Sequence, residues 1–242
     1  VNNKIKEGKL ISEVEFYLEE KGVLKNFIAK GKVKDLKVEL IKDLYLKKIN
    51  FSFFADNNDI LIKNIFGNLE EIKISEGDIK LNLEKGIKIN SNFSSKISLD
   101  EKRIKKYSKF FKKFELIENI NSLIANLNNS LEIDFDDTYK VQNFSYNTSG
   151  KIDKSKIKLT KPFKNSIIPD EINDIYLSDL QIQSFISHNN IKLNGFGEYS
   201  FNNSDFLKIN FENNIVNDLL NLKLNFDYKN KFKLDLINYT KA

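Results

Sequence analysis

Few side chains in this sequence are of types that carry covalent or metal chemistry. The single histidine, His188, stands in Ser187-His188-Asn189-Asn190, a polar tetrapeptide of the kind that turns a hairpin. With no cysteine in 242 residues, thiolate nucleophiles, disulfides and zinc-thiolate sites are excluded. Carboxylates cluster at Asp134, Asp136 and Asp137, and again in Asp56-Asn57-Asn58-Asp59. A calcium loop of EF-hand type needs its acids spaced around a glycine, which neither cluster has, so both read as turns at strand ends. Gly195-Phe196-Gly197 lacks the third glycine and the following helix of a dinucleotide loop; glycine inside a strand marks a bend or bulge. No nucleophile beside a base is legible. The chain reads as a protein that is not an enzyme and needs no cofactor and no metal.

The charge balance is 39 basic against 34 acidic residues, or +5, with a pI near 9.0. A basic chain invites a nucleic-acid partner, but Arg103 is the only arginine, and arginine is the side chain suited to bidentate phosphate and base contacts. The lysines alternate with Glu and Asp along the whole chain, as solvated faces do, and no nucleic-acid partner is expected. No run of 18 apolar residues exists to span a membrane as a helix. The chain begins at Val1 and contains no methionine, so it is expected to be a segment of something longer or a processed form.

The dominant pattern is alternation with period two, the signature of strands with one apolar face. It runs through Val14, Phe16 and Leu18; through Ile49, Phe51, Phe53 and Ala55; and through Ile60 and Ile62 after the turn Asp56–Asp59. Ile72 and Ile74 follow, then Glu76-Gly77-Asp78 read as a turn, then Ile79, Leu81 and Leu83. A turn at Glu84-Lys85-Gly86 leads to the run from Ile87 through Ile89 and Phe93 to Leu99. Short turns between consecutive runs predict an antiparallel meander.

From Asp100 to Ser130 the rhythm changes. Ile104, Tyr107, Phe111, Phe114, Ile117, Ile120, Leu123, Ile124 and Leu127 recur at three to four residues, which predicts a helical insertion over about 100–130, N-capped by Asp100. Its first half, Lys102 to Phe114, is lysine-rich around Phe110 and Phe111. Such a stretch either packs its apolar side on the sheet or lies on an anionic membrane surface. Alternation resumes from Leu131 and ends with Leu220, Leu222, Leu224, Phe226 and then Phe232, Leu234 and Leu236. The predicted organisation is a first β block at 1–99, the helical insertion at 100–130 and a second β block at 131–242, continuous with the first. The fold class is mainly β, and no alternation of strands with helices suggests a doubly wound fold.

A sheet with one apolar face must cover it, either with a second sheet, as in a closed β-sandwich, or with something that is not protein. Periodicity is the same in both cases. Hydrocarbon is one candidate cover. An acyl chain of about sixteen carbons in water is disfavoured by ~12 kcal/mol at ~0.8 per methylene, and an uncovered apolar face removes most of that.

The stretch from Gly31 to Leu99 resembles the AsmA-like superfamily, which includes the YhdP and TamB proteins of Gram-negative bacteria. The residues that carry the likeness are Gly31-Lys32-Val33-Lys34-Asp35-Leu36, Ile49-Asn50-Phe51-Ser52-Phe53, Ile62-Lys63-Asn64-Ile65-Phe66-Gly67, Ile79-Lys80-Leu81-Asn82-Leu83 and Gly86-Ile87-Lys88-Ile89-Asn90-Ser91-Asn92-Phe93. Gly195-Phe196-Gly197-Glu198-Tyr199-Ser200 fits the same kind of chain. The resemblance implies a long antiparallel meander curved into an open U-shaped apolar groove. It implies phospholipid transport between inner and outer membranes, and a periplasmic location as part of an inner-membrane-anchored protein. It makes phospholipid acyl chains the expected partner, lined by Phe51, Phe53, Ile79, Leu81, Leu83, Ile87, Ile89, Phe93, Leu222, Leu224 and Phe226. The alternative is a structural or assembly β-sandwich of the cell envelope with no groove.

Overall fold

The alternating runs are strands of one sheet. In the computed structural model, which describes residues 4–41, 43–84, 86–108, 119–164, 168, 170–217, 219–229, 232–234 and 239–241, twelve strands pair in sequence order as an antiparallel meander that does not close into a barrel. They are β1 (Ile5–Leu18), β2 (Leu24–Ile41), β3 (Leu44–Ala55), β4 (Asp59–Leu69), β5 (Ile72–Asn82), β6 (Ile87–Leu99), β7 (Ile120–Phe135), β8 (Val141–Phe163), β9 (Ile172–Ser187), β10 (Asn190–Phe201), β11 (Leu207–Val216) and β12 (Leu219–Phe226). A two-stranded ladder, β13 (Phe232–Leu234) with β14 (Tyr239–Lys241), is separate. The chain divides into two compact units. One is Val1–Lys96 with Leu127–Ser149 and Ser184–Ile191; the other is Ile97–Asn126 with Gly150–Gln183 and Lys192–Ala242.

In the first unit the cross-strand register lines up whole rows of side chains, because residues directly opposite each other share a face. One row is Val14, Ala29, Ala55, Ile60, Leu81 and Ile89, and the next is Ser12, Gly31, Phe53, Ile62, Ile79 and Ser91. Each runs without a break across β1 to β6, and every member is apolar or small.

Each of β2 to β5 also carries one residue with positive φ, at Asp35, Lys48, Asn64 and Glu76, with φ of 52, 52, 55 and 54°. Register shifts flank each of them against the neighbouring strands. These are β-bulges, where one extra residue is inserted, the strand bends and its twist increases. The extra residue also explains a spacing of three in the apolar pattern: Val33 to Leu36, Leu46 to Ile49, Ile62 to Ile65 and Ile74 to Gly77. Without it, every side chain past that point would fall on the opposite face. Just past the bulge, a branched side chain lies over a glycine of the next strand. A Cβ on Gly67 would sit 2.1 Å from Ile49 Cδ1, and one on Gly77 would sit 2.8 Å from Ile65 Cβ. Glu76-Gly77-Asp78, expected to be a turn, is therefore a bulge inside β5. The bulged strand mimics turn chemistry because both need a residue that tolerates positive φ.

The predicted helix is much shorter than its periodicity suggested. The α1 helix covers Glu101–Ser108, and Ile120–Ser130 belongs to β7. Ile117 and the rest of 109–118 lie outside the described residues. Along β7 the more enclosed side is Leu123, Ala125, Leu127, Asn129 and Leu131. Ala125 and Asn129 are not bulky and apolar, so they hid the alternation, while Ile120 and Ile124 on the other side supplied a false helical spacing. The expected N-cap is present: Asp100 Oδ1 accepts the Arg103 N–H at 2.9 Å. Pro162 is near the end of β8, where a residue without a backbone N–H is tolerated.

The polar side of the sheet carries ion pairs between neighbouring strands: Glu13–Lys30, Glu7–Lys37, Asp59–Lys80, Asp174–Lys156 and Glu212–Lys223. Exposed pairs of this kind contribute roughly 0–1 kcal/mol each, so their weight falls on register rather than on stability.

The bulge geometry makes a direct prediction. At Lys48 an L-residue is held in the left-handed region, so Lys48→Gly should raise stability by about 0.5–1 kcal/mol. Lys48→Val, which is β-branched, should lower it by about 1–3 kcal/mol. Urea unfolding of the two variants against the parent checks both signs.

Candidate functional site

Among the described residues, few large apolar side chains of the sheet are fully buried. Among the described residues the buried hydrophobic side chains are Leu44, Ile49, Ile104, Tyr107, Ala125, Ile172, Leu180 and Tyr199. None of the eleven residues expected to line a groove is among them. Phe51, Phe53, Ile79, Leu81, Ile87, Ile89 and Phe93 are half-buried, as is Leu83 just beyond β5. Leu222, Leu224 and Phe226 on β12 are exposed at 60, 46 and 43%. Phe53, Ile79, Leu81 and Ile89 share the two continuous rows of the first unit. Phe51 heads the adjoining row opposite Val33, and Ile87 and Phe93 fall on the same side of β6 by alternation.

Half-burial arises where large side chains lean over small ones. The Phe53 ring covers Gly31, where an added Cβ would sit 2.8 Å from Phe53 Cε1. In the second unit Phe211 covers Gly195, at 2.5 Å by the same measure. Glycine permits this close approach, and the ring gains contact without a second layer.

The sequence did not reveal that the face turns polar at β6 to β8. Ser91, Ser95, Asn129 and Thr148 are all buried there. The Asn129 side-chain amide donates to Ser95 Oγ at 3.1 Å and to the Phe93 carbonyl at 3.3 Å. Its Oδ1 accepts the Tyr146 hydroxyl at 2.7 Å and the Thr148 hydroxyl at 3.2 Å. The cluster satisfies itself, as buried polar groups must, and it bridges three strands. Its only sequence signal is polar residues at alternating positions that would otherwise be apolar.

In the second unit, four rings meet on one side of β10 and β12. Tyr199 and Phe201 lie 4.9 Å apart between centroids, Tyr199 and Phe226 6.0 Å, Phe201 and Tyr228 6.5 Å, and Phe226 and Tyr228 6.4 Å, all edge to face. The strands β10 and β12 are separated by β11, so these rings reach over β11 to touch. A cavity of about 390 Å³ beside them is lined by Tyr199, Phe201, Leu207 and Tyr228, with Asp205 and Lys229 at its margin. Tyr199 is almost fully enclosed, and its hydroxyl donates to the Asp227 carbonyl. Burial pushes its pKa up to about 12, with the nearby Tyr228 and Asp227 adding to the shift. A larger trough of about 820 Å³ includes Phe196, Glu198, Lys208, Asn210, Asn225 and Asp227 in its lining. Its lining also takes in Ile209 and the expected groove residues Leu224 and Phe226.

The residues with chemical potential occupy turns. His188 is exposed between β9 and β10. Asp56 Oδ1 accepts the N–H groups of Asn58 and Asp59, both at 2.8 Å. Asp136 Oδ1 accepts the Thr138 hydroxyl and the N–H groups of Thr138 and Lys140. These bonds hold both carboxyls below the usual aspartate range. Among the described residues no group of three or more His, Cys, Asp or Glu is placed to hold a metal ion. No helix among them is long and apolar enough to cross a membrane. On α1, Ile104 and Tyr107 are buried while Lys102, Lys105 and Lys106 are exposed; Phe110, Phe111 and Phe114 lie outside the described residues. Comparison of the chain with family models, with curated proteins and with solved structures finds no match.

The Tyr199 shift fixes a sign. A tyrosine whose folded pKa exceeds its unfolded value keeps its proton in the folded state longer. Its contribution is therefore complete below about pH 10 and is lost as pH rises toward 12. Stability should fall over that window, and Tyr199→Phe should flatten the fall relative to the parent. Denaturant titrations at pH 9, 10, 11 and 12 read the difference.

Proposed function

We propose that this chain carries the acyl chains of phospholipids along the uncovered apolar face of its sheet, as a segment of an AsmA-like protein of the bacterial envelope. The observation that supports this reading most is the pair of continuous rows of apolar or small residues across β1 to β6, whose large members are half-buried or exposed. Five inter-strand steps of about 4.8 Å make roughly 24 Å of apolar surface. One leaflet of hydrocarbon is about 15 Å thick, so a whole tail can lie across the strands. A tail in the first unit contacts residues among Phe51, Phe53, Ile79, Leu81, Leu83, Ile87, Ile89 and Phe93, and a tail in the second unit contacts Leu222, Leu224 and Phe226. The headgroup stays in water.

No bond is made or broken in this role, and no cofactor is required. Binding is nonspecific contact, at about 0.8 kcal/mol for each methylene withdrawn from water, so a tail slides between equivalent positions with little change in energy. The α1 helix meets an anionic membrane through lysines such as Lys102 and Lys105. It does not insert, since Ile104 and Tyr107 are already covered. The resemblance to the AsmA-like superfamily gives the reading its periplasmic setting and its two membranes.

The test uses a photoreactive residue at Phe53, at Leu224 and, on the side of β5 opposite Ile79 and Leu81, at Lys80. The expected result after expression in bacteria is phospholipid adducts at the first two positions and few at the third. Adducts to protein alone, or equal labelling on both sides, would overturn the reading and leave a structural β module. Phe53→Asp adds a second measure. A half-exposed site lets the carboxylate reach water, so phospholipid recovered with the protein should fall several-fold with only a small drop in Tm. A collapse of Tm would mean that protein covers this face, because an unpaired buried charge is strongly destabilising.

A further inference from the structure

The side of the first unit that carries the apolar rows is not uniform. The row through Gly31, Phe53, Ile62 and Ile79 ends on β6 at Ser91, and Ser95 lies four residues further along the same side of that strand. Both serines are buried. The Ser91 hydroxyl has no hydrogen-bond partner among the described residues. In the cluster around Asn129 each group has a partner, but not every proton does. The Phe93 and Leu127 carbonyls can only accept, and they lie 3.3 and 3.4 Å from one end of the Asn129 amide, which must therefore be its nitrogen. That nitrogen also donates to Ser95 Oγ at 3.1 Å. Ser95 accepts there and turns its own proton elsewhere, and no described group takes it. The apolar side thus holds two hydroxyl donors, separated along β6 by roughly 14 Å at about 3.4 Å per residue.

We propose that these hydroxyls seat the ester carbonyl of an acyl chain, and that Ser91 thereby fixes which way a lipid lies: ester at β6, methyl end at β3. The inference rests on the lipid reading and adds an orientation to it. Methylenes laid over a hydroxyl remove its water and return no hydrogen bond, which is unfavourable. An ester carbonyl only accepts, so it matches a serine whose proton is free. It stands at the head of the tail and is small enough to reach a buried hydroxyl, whereas a charged phosphate keeps its water. From Ser91, three inter-strand steps of about 4.8 Å carry a tail of about one leaflet's depth, ~15 Å, over Ile79 and Ile62 to Phe53. The glycerol end then lies toward β7, over Asn129 and Thr148 rather than over apolar side chains. Ser12, the hydroxyl at the other end of the row, does not compete, because it is exposed and keeps its water whichever way the lipid lies. One net hydrogen bond favours the seated position about two- to tenfold, which orients a lipid without holding it.

Two dipalmitoyl phosphatidylcholine probes test the orientation on the full chain, one with a diazirine beside an ester carbonyl and one with it at the methyl end of a tail. After illumination and peptide mapping, the first should label β5 and β6 near Ser91, and the second β3 and β4 near Phe53. A second measurement compares retention of dipalmitoyl phosphatidylcholine with that of the dihexadecyl ether lipid, which has the same tails and no carbonyl. The parent should retain the ester lipid about two- to tenfold better. Ser91→Ala combined with Ser95→Ala should bring the two lipids level, and Ser91→Thr, which keeps the hydroxyl, should preserve the difference. Ether lipid retained by the double variant shows that it is folded. Labelling in the reverse order or in no order, or equal retention of both lipids by the parent, overturns the seat and leaves the apolar rows as a lipid surface. Retention of neither lipid by the parent overturns the lipid reading and the seat with it.

Discussion

Everything in this fold depends on keeping one side of a single sheet apolar over strands longer than a straight ladder accommodates. Side chains alternate with a period of two and no tolerance, so a change of one residue reverses the assignment of every position beyond it. The four bulges at Asp35, Lys48, Asn64 and Glu76 add a residue, and the apolar pattern adds a residue at the same places. Each is intelligible only with the other. Straighten the backbone, and Leu36, Ile49 and Ile65 would turn to the polar side; restore strict alternation in the sequence, and the bulge would do the same. The bulges are also mutually dependent, because each strand is registered against two neighbours. An extra residue in β3 is matched by one in β2 and one in β4, which is why they form a line across the sheet.

That line bends the strands without supplying a second layer, and the burial pattern follows. In an ordinary sandwich the largest side chains are the most enclosed. Here many of the enclosed positions are small or polar, among them Ala125, Ser91, Ser95 and Thr148, and the large ones lean over them half in water. The cluster around Asn129 shows why polar residues are acceptable at such places. Cross-strand hydrogen bonds satisfy each one and tie three strands together, a role that apolar packing fills elsewhere. Large side chains can therefore stay half-buried while the small and polar ones beneath them are satisfied.

How much of this was legible in the sequence differs from element to element. Strands with unbroken alternation, the turns at Asp56 and His188, and the Asp100 cap were all readable, because each rests on local chemistry that tertiary structure does not override. Glu76-Gly77-Asp78 was misread because a bulge and a turn recruit the same residues, and only pairing with both neighbouring strands tells them apart. The helical reading of Ile120 to Leu127 failed for the opposite reason. Four large apolar residues from two sides of a strand imitate one side of a helix when the small members of the alternation, Ala125 and Asn129, are discounted. The shared side of Phe53, Ile79, Leu81 and Ile89 was readable from alternation. The polar interruption at β6 to β8 and the rings that reach over β11 were not, since both are contacts between strands far apart in sequence.

The two sides of the sheet do different work, and neither is sufficient. On the apolar side, many registers offset by two residues bury similar area, so hydrophobic contact decides which face turns inward but only weakly decides alignment. On the polar side, exposed ion pairs add little energy, and their selectivity differs from pair to pair: a shift of two residues leaves Glu212 and Lys223 opposite asparagines, whereas in β1 and β2 it sets Glu13 opposite Lys32 and Glu15 opposite Lys30. Glu212 with Lys223, directly opposite in register, is aligned by charge where the apolar rows would permit slippage; β1 and β2 are aligned by the bulges that interrupt their ladder. In a sandwich, interdigitation with the second sheet would perform that selection. The lysine-rich composition has a near explanation in the same arrangement: lysines on the polar side of the strands pair with acids on the neighbouring strands.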